Sequence, residues 1–281
     1  MSLLNLKESF NLYKKNLILI VPDAISLLIT YTLLAAIFFY IGASDLIPLV
    51  QSAEDASLEL LKNFFSNNIL EIIISSLIFI FVTFFVGVGV TAIKFDMITD
   101  IMHNKKVSLR NSSTKCKPFL WPIILLRASI FVIFALSLLI TLLLGGLIYL
   151  IFSNWGSQTA MIVSLALMIP LALVLFVGLK LALLFVYQIM FLKSTKNTIK
   201  LLKGSFKLFT KDTSFVVISG LMVFALSLIV SGVSNIFSQI LDLIPSVYPA
   251  YIWSVIQIFI SISVSIISSI YLFLQLKLKK D

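Results

Sequence analysis

The chain has 281 residues, 60% of them hydrophobic and 12% charged, with a formal net charge of +9 and a mean hydropathy of +1.13. A soluble domain carries about 25% charge, so the apolar excess is more than one core can hide. That excludes a secreted disulfide scaffold, a disordered chain, a cytosolic enzyme and a nucleic-acid-binding domain, and at about 20 apolar residues per crossing it leaves room for several membrane spans.

Residues 1–16 open as an amphipathic lead-in, with Leu3, Leu6, Phe10 and Tyr13 on one face and Lys7, Asn11, Lys14 and Lys15 on the other. The first span follows at 17–42; its apolar run of about 26 residues is too long for the h-region of a signal peptide, so it is retained. Residues 43–68 lie outside. There Ser52-Ala53-Glu54-Asp55 fits a capping box, and Leu58, Leu61 and Phe65 share a face. A helix over 52–66 is expected, lying on the outer surface or forming a lid over a cavity. Spans follow at 69–93, 119–152, 159–192, 215–241 and 251–276. The third and fourth runs exceed one crossing and are expected to tilt, to kink at Pro170 or to extend past the bilayer. A second lead-in precedes the fifth span: Ile199, Leu202, Phe206 and Phe209 oppose Lys200, Lys203, Lys207 and Lys211.

Charge sets the expected orientation. Segments 1–16, 94–118, 193–214 and 277–281 hold 18 of the 21 basic residues, whereas 43–68, 153–158 and 242–250 hold only Lys62 against Asp45, Glu54, Asp55, Glu59 and Asp242. Both termini are therefore expected in the cytoplasm of a multi-pass plasma-membrane protein. The lysines of the lead-ins, Lys7, Lys14, Lys15, Lys200, Lys203, Lys207 and Lys211, are candidate contacts for anionic lipid headgroups, or simply set topology.

The sequence also repeats. Lys7-Glu8-Ser9-Phe10-Asn11-Leu12-Tyr13-Lys14-Lys15-Asn16 aligns with Lys203-Gly204-Ser205-Phe206-Lys207-Leu208-Phe209-Thr210-Lys211-Asp212, and Phe85-Val86-Gly87 with Phe176-Val177-Gly178. A third, degenerate lead-in is expected at Ser108 to Trp121, broken by Pro118 and Pro122. The chain thus reads as one all-α membrane domain of six transmembrane helices, arranged as three serial hairpins over about 1–93, 94–192 and 193–281.

Little in it can carry covalent chemistry. His103 and Cys116 are the single histidine and cysteine, both in one basic loop, where they are expected to be solvated. No spacing suits a metal, and no phosphate loop, dinucleotide fingerprint or nucleophile elbow is present. No cofactor, nucleic acid or enzymatic activity is expected. Charges inside spans are costly and mark candidate sites; these are Asp23, Arg127 and Lys180, with Asp23 and Arg127 expected to pair and Lys180 as the alternative partner. Serine stripes form a second candidate: Ser227, Ser231, Ser234 and Ser238 in the fifth span, Ser254, Gln257, Ser261, Ser265 and Ser268 in the sixth. Such stripes either pack helices closely, as Ser137-xxx-Thr141-xxx-Gly145 and Thr83-xxx-Gly87-xxx-Thr91 also can, or line a hydrophilic gap.

The repeated Ser-Phe-x-Leu-aromatic lead-in, at Ser9 to Tyr13 and Ser205 to Phe209, with six spans, resembles poorly characterised prokaryotic six-span membrane families. One is the membrane domain attached to some glycerophosphodiester phosphodiesterases. The resemblance brings no catalytic residues, and with the chain ending at Asp281 no phosphodiesterase activity is implied. Two functional readings stand: a non-enzymatic scaffold, accessory subunit or lipid-organising module, with a membrane partner or second copy, and a permease-like carrier of a small solute or lipid.

Overall fold

The computed structural model describes residues 2–43, 57–242 and 248–279. They form eleven α-helices, two short 3-10 turns and, among the described residues, no strand: α1 (Ser2–Lys15), α2 (Ile20–Tyr40), α3 (Ser57–Asn67), α4 (Ile69–Met102), α5 (Leu109–Lys115), α6 (Lys117–Phe152), α7 (Ser157–Ala182), α8 (Val186–Leu192), α9 (Thr198–Lys211), α10 (Thr213–Asp242) and α11 (Tyr248–Leu278). Six segments are long and apolar enough to cross a membrane: α2, α4, α6, α7 with α8, α10 and α11. The protein is an all-α, multi-pass membrane protein.

Successive spans pack as pairs, α2 with α4, α6 with α7 and α10 with α11, and α4 and α11 join the pairs together. The sixth span is the central post. Its most apolar stretch is 33% buried, against 6–11% for the other five. The densest packing lies at the end carrying the basic loops, here the basic end. Met97 and Ile98 of α4, Ile123 and Leu126 of α6, Phe185 and Met190 at α8, Leu201 of α9 and Ile266 and Ile270 of α11 are fully buried there. Phe95 is the hub, its ring 5.4 to 5.7 Å from those of Tyr187, Phe191 and Phe273. At the opposite end the helices present apolar residues outward, such as Phe39, Leu139, Leu143 and Ile151, as a surface solvated by lipid tails must.

The lead-ins have three faces rather than two. In α1 the buried positions are Asn5, Ser9 and Tyr13, lying on α11, where the Tyr13 hydroxyl meets Ser263 Oγ at 2.7 Å. Leu3, Leu4 and Phe10 are exposed beside the lysines. In α9 the matching positions Leu201 and Ser205 are buried. The repeat extends to the backbone at the elbows into the spans: Asn16 has φ −132°, ψ 53° and Asp212 φ −135°, ψ 52°. In the middle lead-in, α5 and the first turns of α6 carry the same buried spacing at Ser112 and Cys116. Its elbow differs, because Cys116 stays helical at φ −75°, ψ −15° with Pro118 in the first turn of α6, a position that needs no N–H donor. Pro122 lies inside α6, and the helix runs through it.

Two further expectations are corrected, and a third falls partly outside the described residues. The fourth span does not break at Pro170, which sits inside the unbroken α7; it breaks at Leu183–Phe185, between α7 and α8. The turn leaves the Ala182 carbonyl without its helical donor, and Ser205 Oγ supplies one at 2.5 Å. Gly220 of α10 lies against this break; a Cβ there would overlap the Leu181 side chain. Cys116 is not solvated but buried, since α5 folds its face inward. The outer helix is α3, which runs through Asn68 into α4; the capping box Ser52–Asp55 and the side chains of Leu58 and Leu61 lie outside the described residues, and Phe65 is exposed.

Candidate functional site

Asp23, in the first turn of α2, pairs with Lys94 of α4, whose Nζ lies 3.1 Å from both carboxylate oxygens. This corrects the expected pairing with Arg127 or Lys180. The reason lies in a boundary. The second span does not stop at residue 93 but continues as α4 to Met102, which carries Lys94 into the helix beside Asp23. The pair is largely buried, with side-chain exposures of 11% for Lys94 and 18% for Asp23. A cavity of about 320 Å³ lies next to it, lined by Asp23, Ser26, Ile258, Ser261 and Ser265.

Arg127 of α6 binds the backbone of α4 instead. Its Nη2 donates to Gly87 O at 2.9 Å and to Thr91 Oγ1 at 2.7 Å, and Nη1 donates to Phe84 O at 3.5 Å. Thr91 Oγ1 donates in turn to Gly87 O. Gly87 permits the approach, because a Cβ there would stand 3.0 Å from Arg127 Nη1. None of these partners is acidic, so carbonyl and hydroxyl dipoles hold the charge. Of the Thr83–Gly87–Thr91 stripe, Gly87 and Thr91 therefore seat the arginine, while Thr83 Oγ1 donates to Phe79 O of its own helix. The Ser137–Thr141–Gly145 stripe packs α6 on α7, with Ser164 Oγ donating to Gly145 O at 3.0 Å. Lys180 is exposed in the last turn of α7. At the end of α4, Lys115 pairs with Asp100 at 3.1 Å and Lys277 Nζ donates to Met102 O at 2.7 Å, capping a free helix carbonyl.

The serine stripes of α10 and α11 face one another across a cleft of about 600 Å³. Ser227, Ser231 and Ser234 line it from α10, and Gln257, Ser261, Ser265 and Ser268 from α11. Ser238 and Ser254 are not among its lining residues; nearby, the Trp253 indole donates to Ser234 O at 3.3 Å and lies tilted against Phe237 with ring centroids 5.1 Å apart. Gln257 Nε2 donates to the same carbonyl at 3.4 Å. The structure adds Asn235, Gln188 and Ser269 to the walls. Among the described residues no charged side chain lines the cleft. Ser227, Ser231 and Asn235 are exposed along its side, so it opens laterally.

Two groups inside it lack protein partners. Gln188 is 3% exposed and Ser268 8% exposed, yet Gln188 Oε1 and Ser268 Oγ accept or donate no hydrogen bond within the protein. A buried polar atom left so costs about 1–3 kcal/mol, and a native fold satisfies it with water or a ligand. Ser261 and Ser265 also line the cavity beside Asp23, so α11 is a thin polar wall between the ion pair and the cleft. Sequence reasoning missed Gln188 because its helix, α8, reads as the tail of an apolar run.

Burial pushes the Cys116 thiol up from its ordinary range, with Asp96 adding to the effect, which disfavours the thiolate. His103 Nδ1 lies 2.8 Å from Thr99 O on the exposed end of α4. Among the described residues no three His, Cys, Asp or Glu side chains converge as metal ligands. No protein-family model matches the chain, and neither a curated protein nor a solved structure matches it.

Proposed function

We propose that this is a non-enzymatic lipid-handling membrane protein that takes a neutral, hydroxyl-bearing amphiphile into the cleft between α10 and α11. One observation carries the reading: unpartnered Gln188 Oε1 and Ser268 Oγ sit in a 600 Å³ cleft whose polar wall is serine, asparagine and glutamine, set among Phe95, three valines and Leu272. Hydroxyl and amide groups without charge suit a polar headgroup that is itself uncharged, since a phosphate or ammonium would enter without a counter-charge. The lateral opening lets acyl chains remain in the bilayer while the headgroup enters. With the basic loops on the cytoplasmic side of a plasma membrane, the deep end of the cleft, at Gln188 and Ser268, is the cytoplasmic one.

The experiment is native mass spectrometry of the full chain extracted with its own lipids. A neutral lipid such as a diacylglycerol, retained one per chain and lost in Gln188→Leu with Ser268→Ala, supports the reading. A polypeptide held in its place supports the scaffold or accessory reading instead. A second reading, permease-like transport, draws on the wall that Ser261 and Ser265 share between the cleft and the Asp23–Lys94 cavity. Flux of a small polyol into proteoliposomes, abolished by Ser261→Leu at unchanged protein level, is its test.

A further inference from the structure

A second pocket, of about 450 Å³, opens at the basic end where α1, the start of α10 and the end of α11 meet. Asn5, Tyr271 and Gln275 line it, at 5%, 1% and 9% exposure. Asn5 Nδ2, Tyr271 Oη and Gln275 Nε2 make no hydrogen bond of good geometry within the protein, although the Ser219 and Gln275 side chains neighbour the Tyr271 hydroxyl. Two amide N–H groups and a phenol hydroxyl are thus left to donate into the pocket. Its mouth carries Lys279, whose Nζ lies 2.7 Å from Asp212 and 4.4 Å from the Phe215 ring centroid. Beyond Lys279 a further hollow of about 350 Å³ adds Lys193, Lys207 and Lys211, so four lysines face one aspartate. The remaining wall, Phe215, Ile218 and Leu278, is apolar.

We propose that this pocket binds a phosphate ester, held as the headgroup of an anionic phospholipid. The layout follows the order of groups in such a lipid. Positive charge stands at the mouth for the phosphate. One to two helical turns deeper, about 6–12 Å along α11, uncharged donors at Gln275 and Tyr271 meet the ester carbonyls, and the apolar wall takes the start of an acyl chain. A free phosphate would use the lysines and leave the three deeper groups unsatisfied, which favours the lipid. The site is separate from the serine cleft and does not depend on its occupant. It also differs from generic attraction to the lead-in lysines, since Lys200 and Lys203 take no part.

The test is native mass spectrometry of the purified full chain, titrated in separate arms with phosphatidylglycerol, phosphatidylcholine and inorganic phosphate. Expected is one phosphatidylglycerol per chain, weaker retention of phosphatidylcholine and no saturable adduct with inorganic phosphate. Tyr271→Phe with Gln275→Leu then weakens phosphatidylglycerol retention about tenfold, the size expected for losing two hydrogen bonds. Ile218→Trp, which fills the pocket from its exposed wall, produces the same loss and serves should the double variant fail to fold. Retention unchanged in the variant that folds, or saturation by inorganic phosphate alone, overturns the proposal.

Discussion

The basic end and the opposite end of this bundle are held together in different ways. At the basic end, side chains from α4, α6, α8, α9 and α11 interlock around Phe95, helix ends are tied by Lys115 and Lys277, and the Ser205 hydroxyl repairs a break in the fourth span. Toward the opposite end, apolar residues such as Leu139 and Leu143 face outward. Lipid tails are as apolar as leucine, so burying those residues against protein gains little, and cohesion comes from close packing and polar contacts. The cleft and the ion pair sit at the boundary of these regions, where helices held firmly at one end separate enough to leave room.

The sharpest way to break the contrast is to remove one partner of the buried pair. Lys94→Ala leaves the Asp23 carboxylate uncompensated and is expected to destabilise by about 3–5 kcal/mol; Lys94→Gln with Asp23→Asn together recovers most of that, measured by equilibrium unfolding in micelles. Equal loss in both variants would show that the pair is not the cause. A smaller effect is expected at the span break. Ser205→Ala leaves the Ala182 carbonyl unsatisfied at about 1–3 kcal/mol. Its repeat counterpart Ser9 donates only to Asn5 O of its own helix, 2.6 Å away, a carbonyl that also serves the helix ladder, so Ser9→Ala leaves no buried acceptor unsatisfied and is expected to cost less than Ser205→Ala. The two serines thus test whether the second lead-in acquired a task that the first lacks. The smallest change belongs to the opposite end, where Leu139→Ala is expected to stay within about 0.5 kcal/mol. A loss there as large as that of Ser205→Ala would mean that another chain covers this face.

Much of the fold was legible because membrane spans announce themselves by length and hydropathy. The lead-in repeat was legible too, since Ser9 and Ser205 occupy the same buried position and Asn16 and Asp212 the same backbone conformation. What escaped was tertiary. Lys94 looked like a loop residue because hydropathy falls there, although α4 continues for two more turns to place it against Asp23. Arg127 invited an acidic partner, but a glycine gave it carbonyls instead. The break at Leu183–Phe185 carries no proline or glycine; it is fixed by Ser205 and by the close approach of Gly220, neither of them local in sequence. The serine stripes were visible as periodicity, yet only the three-dimensional arrangement brings Gln188 and Asn235 to join them around one space.

The central claim is that this space holds an exchangeable polar occupant rather than packed side chains or acyl tails. The most direct measurement is labelling of single cysteines, placed along α10 and α11 in a Cys116→Ser background, with a water-soluble maleimide in intact membranes. The account predicts reaction at positions 231 and 265, which line the cleft, and none at 229, where Ile229 is 64% exposed on α10 and absent from the cleft lining. Positions 231 and 265 as unreactive as 229 would contradict it.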